Sequence, residues 1–258
     1  MEGNNVNRPH IAITMPVFNE EKGICNFING IVEKLGNFDV SVIVIDDFSS
    51  DRTVKSLEEL KESNSKLNLD IYRNSQNLGH GPSTIKGMFR ALNLKPNLVV
   101  TIDGDGQFIE SEISEAITEF IESRCDVLEG NRIARQEPTF RKASTLAVRV
   151  LVWLRCGVLP LDGNTPFRIY KSEKLQEVLI EMPVDFPIPN IYISVLSRHY
   201  KWKIHQKSMT SIPPRGVDPN GSTWKQRFKS LPSKRFLKFC INSLRRWAFF
   251  TKPKRIIK

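Results

Sequence analysis

Over the first 130 residues, the apolar positions keep two alternating rhythms. Nearly unbroken apolar runs at 10–15, 40–45, 69–72 and 98–102 predict strands, and the wholly apolar ones predict strands buried on both faces. Between them, segment 20–35 places Ile24, Phe27, Ile28, Ile31 and Leu35 on one helical face. Segments 51–60, 82–92 and 110–122 carry the same helical period, and 126–128 reads as a further strand. Strand and helix alternating at this spacing predict an α/β fold: a Rossmann-like, mostly parallel sheet with flanking helices. No internal repeat or low-complexity segment interrupts it.

In an open sheet of this kind ligands bind beyond the carboxyl ends of the strands. The residues there are Pro16-Val17-Phe18-Asn19-Glu20-Glu21 after the first strand and Asp46-Asp47-Phe48-Ser49-Ser50-Asp51 after the second. Asn77-Leu78-Gly79-His80-Gly81 follows the third, and Asp103-Gly104-Asp105-Gly106-Gln107 the fourth. Carboxylates two apart with glycine between can bend toward one point, and Gln107 adds a neutral oxygen. Hard oxygens from so few residues suit Mg²⁺ or Mn²⁺, which keep waters and bind substrate phosphates as well. The same spacing also occurs in ordinary acidic turns. Asp46 and Asp47 end a buried strand, where a carboxylate can accept from a base or ribose. Ser50 or Asp51 is placed to cap the following helix. Neither a G-x-G-x-x-G nor a G-x-x-x-x-G-K-[ST] sequence follows the first strand, which argues against a dehydrogenase or a P-loop enzyme.

The succession PVFNEE, VIVIDDFSSDRT, NLGHGPSTIKG, TIDGDGQF and GNR, followed by DGNTPFR, resembles the family 2 glycosyltransferases over roughly residues 10–215. More narrowly it resembles the dolichol-phosphate mannose synthase-like branch, whose donor domain has the GT-A fold. The resemblance implies that Pro16, Phe18 and Glu20 line the nucleotide pocket with Gly104, and that Asp47 meets the base or ribose. It implies that Asp103, Asp105 and Gln107 hold the divalent cation against the donor pyrophosphate. Arg132 and Arg141 match arginines that face phosphates or acceptor, Arg168 lies where relatives shape the acceptor side, and Arg215 matches a mobile acceptor-loop arginine. Planar guanidinium groups suit such roles because each can bind two oxygens at once; a surface ion pair is the plainer reading for Arg141. Many relatives carry a carboxylate that deprotonates a hydroxyl acceptor, but the comparable stretch 186–194 has no acid. A phosphate acceptor needs no such base, which leans toward polyprenyl phosphate; a lipid-linked glycan, with Asp162 or Asp185 as base, is the alternative. The family implies inversion at the anomeric carbon of a GDP- or UDP-sugar.

Charge sharpens this picture. The net charge of +10 is concentrated at the end: residues 198–258 hold 17 lysines and arginines against one acid, Asp218. The chain thus divides into a catalytic domain, 1–215, and a basic tail, 216–258, with an amphipathic helix from Pro232 through Phe250 that opposes Lys234, Arg235, Lys238, Arg245 and Arg246 to Leu237, Ile241, Leu244 and Trp247. Such a helix reads as a membrane-surface element, or as one packed on the domain with its cationic face in solvent. The run 146–154 around Trp153 is expected to pack in the core. No stretch of 18 residues is free of charge and no secretory signal opens the chain, so a cytoplasmic protein held peripherally at a membrane is expected. The four scattered cysteines read as free thiols. Two other classes remain: a nucleotidyltransferase, whose glycine- and lysine-bearing first loop is missing, and a nucleic-acid-binding protein, which the acidic rim disfavours.

Overall fold

The computed structural model describes residues 8–133, 146, 149, 150 and 152–215; Arg141 and the basic tail lie outside them. Strands β1 (His10–Val17), β2 (Asp39–Asp46), β3 (Asn68–Arg73) and β4 (Leu98–Thr101) alternate with helices α1 (Ile24–Lys34), α2 (Thr53–Ser63) and α3 (His80–Asn93). Helix α4 (Glu110–Ser123), β5 (Val127–Ile133), β6 (Arg168–Lys171), α5 (Ser172–Leu179), α6 (Pro189–His199) and β7 (Ile204–Thr210) complete the order.

These strands form one seven-stranded sheet in the order β3-β2-β1-β4-β6-β5-β7. All pairings are parallel except those of β6, which runs against both β4 and β5. The expected mostly parallel sheet is therefore present, with one reversed strand near its middle.

The alternation of β1 decides what covers each face. Ile11, Ile13, Met15 and Val17 pack with Phe27 and Ile31 of α1, Leu57 of α2 and Ile117 and Phe120 of α4. Ala12, with Ile43 and Ile45 of β2, faces the opposite layer of Met88 in α3, Val178 in α5 and Ile193 and Leu196 in α6. Both faces are covered, as the unbroken apolar strands require. Pro82 falls in the first turn of α3, where a missing N–H costs nothing.

Two local expectations change, and one is narrowed. Helix α1 starts at Ile24 and not at residue 20, because Glu20 N–H is bound by Thr53 Oγ1 (2.8 Å) and Glu21 N–H by Asp51 Oδ2 (3.2 Å), which holds that segment as a loop. Asp51, of the two capping candidates, accepts Thr53 N–H at 3.0 Å beside the start of α2. The run 146–154 is not core: Val152 packs on Ile191 and Val195, whereas Leu146, Val150, Trp153 and Leu154 stand exposed. Cys25, Cys125 and Cys156 are free thiols, as expected.

Candidate active site

The carboxyl ends of β1, β2 and β4 are stitched into one rim. Asp47 N–H bonds Val17 O, Ile102 N–H bonds Thr14 O and Gly104 N–H bonds Pro16 O. Asn19, in the left-handed region at φ 58°, accepts Ser50 N–H on its Oδ1 at 2.8 Å and locks the first loop to the second. Glu20 is thereby carried over the turn that bears Asp103 and Asp105. That turn needs its glycines. A Cβ on Gly104 would sit 2.4 Å from Val17 Cγ1, and Gly106 has φ 66°.

The electrostatics show how closely the acids gather. Burial, and then the charge of Asp103, pushes the Asp105 carboxyl up to about 7. Burial, with Asp105, Asp51 and Asp103 adding repulsion, pushes Glu20 up to about 8. His80 Nε2 lies 2.7 Å from Asp103 Oδ1; its crowded setting disfavours the charged ring, yet Asp103, Asp105 and Asp47 outweigh this and raise its pKa. Arg132 also acts on Asp105, in the direction that lowers it. A rim whose carboxylates hold protons against their own repulsion is short of positive charge, and that fits a divalent cation. Among the described residues no three His, Cys, Asp or Glu side chains converge as a closed metal cage. Two carboxylates completed by phosphate oxygens and water are the donor set Mg²⁺ or Mn²⁺ accepts. Asp105 Oδ1 already accepts Gln107 N–H at 3.2 Å, so Gln107 reaches the turn through its backbone.

Pro16 is buried at the end of β1 and Phe18 is partly exposed beside it. Asp47, expected to meet the nucleoside, is tied into the protein by several donors. Its Oδ1 accepts from Asn74 Nδ2 (2.9 Å), Leu78 N–H (2.8 Å) and Ser83 Oγ (2.9 Å), and its Oδ2 from Gly79 N–H (2.9 Å). These four donors tie Asp47 to the 74–83 loop, which carries His80 to Asp103. Asp46 similarly accepts Ser49 N–H (3.1 Å) and faces Arg73 Nε at 3.4 Å.

On the other side of β4, Arg132 donates from Nε and Nη2 to Asp162 Oδ2 (3.1 and 2.9 Å). Asp162 Oδ1 accepts Asn164 N–H at 3.1 Å, so this candidate base is committed to orienting Arg132; Asp185 stands exposed in the loop before α6. Arg168, expected on the acceptor side, is fully buried beneath the rim. It donates from Nη2 to Ser194 Oγ (2.6 Å) and Gly163 O (3.0 Å), with Nη1 3.6 Å from Glu129. Glu129 is clamped also by Arg198 Nη2 at 2.7 Å; burial opposes its charge, but the two guanidinium groups hold its carboxyl below the usual range. Arg215 is pinned across the acidic turn: its N–H bonds Asp105 O (2.9 Å), Nη2 bonds Glu110 Oε2 (2.8 Å), and its guanidinium lies over Phe27. His80 and Glu129 were not singled out by sequence. His80 stands in the third rim loop, whereas nothing local marks the isolated Glu129.

With this geometry in hand, likeness to known proteins is informative. The chain is 29% identical over 181 residues to the UDP-N-acetylglucosamine–dolichyl-phosphate N-acetylglucosaminyltransferase of Methanococcus voltae, covering 64% of this chain and 71% of that one. It is 25% identical over 171 residues to the undecaprenyl-phosphate 4-deoxy-4-formamido-L-arabinose transferase of Proteus mirabilis, spanning 66% of this chain but only 51% of that relative. Its fold matches glucosyl-3-phosphoglycerate synthase from Mycobacterium tuberculosis, solved with Mn²⁺ and UDP-glucose, with a TM-score of 0.60 at 16% identity over 95% of this chain and 80% of that one. The profile of glycosyl transferase family 2 matches residues 12–200, nearly the whole α/β unit described above. The chain therefore belongs to glycosyl transferase family 2 and is a glycosyltransferase of GT-A fold.

Proposed function

We propose that the protein transfers a sugar, with inversion, from a UDP- or GDP-sugar to a polyprenyl phosphate at a membrane surface, using Mg²⁺ or Mn²⁺. The carrying observation is the acid-crowded end of β4, where Asp105 is pushed up to about 7 and Glu20 to about 8. A bound divalent cation supplies charge neutralisation to the donor diphosphate as it leaves. Asp103 and Asp105 would hold it, the β1 loop with Phe18 and Glu20 would border the nucleotide, and Arg132, fixed by Asp162, would face phosphate oxygens. Asp162 is spent on that arginine, which favours an acceptor that already carries its nucleophilic anion. The archaeal and bacterial relatives are named for transfer to dolichyl and undecaprenyl phosphate.

Membrane contact is supported by the exposed apolar residues Val150, Trp153, Leu154, Val158 and Leu161, interleaved with Arg149 and Arg155. Apolar wedges with basic neighbours suit the headgroup boundary of an anionic bilayer. The basic tail, 216–258, would add to this attraction. No helix among the described residues is long and apolar enough to cross a membrane.

The test is transfer of labelled sugar from UDP-N-acetylglucosamine, UDP-glucose or GDP-mannose to undecaprenyl or dolichyl phosphate in anionic liposomes with Mn²⁺. Lipid-linked label that disappears with EDTA is the expected result. Label transferred to a soluble hydroxyl acceptor, with none on the lipid phosphate, would refute the acceptor assignment.

A further inference from the structure

Beneath the rim, α6 presents a polar stripe to β5. Ser194 lies within 3.5 Å of Glu129 Oε1, and Arg198, one turn further, clamps the same carboxylate. The stripe continues toward the rim. Residue 190 precedes Ser194 by one helical turn, and residue 131 follows Glu129 by two, so both stay on the faces that already meet. One turn of helix rises about 6 Å over four residues and two residues of strand about 6.6 Å, so the two steps carry Asn190 and Asn131 a similar distance toward the rim.

Both are buried, Asn190 to 3% exposure and Asn131 to 7%, and both leave Oδ1 without a hydrogen-bond partner. A buried acceptor left unmet forfeits its hydration with nothing in return, so it is costly. Two of them on the rim side of this polar stripe mark a place built for something that brings donors.

The position says what that is. The segment leading into Asn190 abuts Gly81, where an added Cβ would lie 2.4 Å from Pro187 O. Gly81 adjoins His80, which touches Asp103. Asn131 directly precedes Arg132, whose charge reaches Asp105. Along the rim the order is therefore the β1 and β2 loops, then the acidic turn of β4, then Asn131 and Asn190 beyond β6. A nucleotide sugar laid with its nucleoside over β1 and its diphosphate at β4 extends its sugar toward β5.

We propose that the Asn131 and Asn190 carboxamides read the donor sugar, their Oδ1 atoms accepting from its hydroxyl or amide N–H groups. This rests on the nucleotide-sugar reading above. The pair acts as a specificity determinant, because a sugar lacking the matching donor leaves a buried acceptor unmet.

The experiment uses the full chain with Mn²⁺ and compares wild type with Asn190→Ala, Asn190→Ser and Asn131→Ser. Donor turnover is measured with UDP-N-acetylglucosamine, UDP-glucose and GDP-mannose, and binding of UDP, which has no sugar, is measured in parallel with a melting curve. Expected is a rise of about tenfold or more in KM for the preferred donor. The ratio between donors should flatten, while the Kd of UDP stays within twofold. Unchanged donor ratios with a raised Tm would overturn the proposal and mark the pair as a packing or water site. Equal losses for UDP and UDP-sugars would also overturn it, because the residues would then act on the nucleotide or the fold. Failure of wild type to turn over any donor would refute the underlying enzyme reading instead.

Discussion

Replacing Asp47 with alanine separates a structural role from a binding role. Its carboxylate receives four hydrogen bonds, from Asn74, Leu78, Gly79 and Ser83, and three of these reach Oδ1. Removing it leaves one N–H of Asn74 and the O–H of Ser83 without their acceptor in the interior, although Asn74 still donates to Ser83 Oγ; each lost partner costs about 1–3 kcal/mol, more when the acceptor was charged. Leu78 and Gly79 are nearer solvent and can turn to water, so they contribute less. The total is about 3–5 kcal/mol, which for a chain of this size lowers Tm by about 10 °C. The assay is thermal melting of wild type and Asp47→Ala without ligand, followed by donor kinetics well below either transition. A large loss of Tm is expected, with any effect on donor KM traceable to His80 and the 74–83 loop. A variant melting within about 2 °C of wild type while its KM for donor rises tenfold would refute it and return Asp47 to the nucleoside.

Metal affinity should rise with pH between about 6 and 8, since binding must expel the proton that burial and Asp103 hold on Asp105, near 7, and relieve Glu20, near 8. Without metal the sign reverses. Carboxyls whose pKa is raised on folding bind more protons folded than unfolded, so stability is present at low pH and declines as pH climbs from about 4.5 toward 8; calorimetry with and without Mn²⁺ across that range checks both slopes. Glu129→Ala should destabilise by about 3–5 kcal/mol, since it leaves Arg168 and Arg198 as uncompensated buried cations; denaturant titration checks this, and a loss under 1 kcal/mol would contradict it.

The parallel half of the sheet was legible because β1, β2 and β4 are fully covered, so their apolar runs are unbroken. The acidic rim was legible because strand ends and loop chemistry are local. What escaped is what depends on contacts distant in sequence. The four hydrogen bonds that Asp47 receives come from residues 74–83, far along the chain. Arg168 looks like an acceptor-side cation until Glu129 and Ser194 enclose it. Strand β6 is four residues long, and β7 carries His205, Gln206 and Lys207 in its middle, so neither shows a strand's apolar signature. The run 146–154 misled in the opposite sense: its composition is that of a core segment, yet only Val152 of its described residues packs inward.

The central claim is that the β4 turn holds a divalent cation against a nucleotide-sugar diphosphate. Isothermal titration of the preferred nucleotide sugar into wild type and Asp105→Asn, each with Mn²⁺ and with excess EDTA, tests it most directly. Tight binding is expected only for wild type with Mn²⁺, and at least tenfold weaker binding in the other three conditions, with Asp105→Asn still folded by circular dichroism. Equal affinity in EDTA, or an Asp105→Asn protein that binds the donor as wild type does, would contradict it.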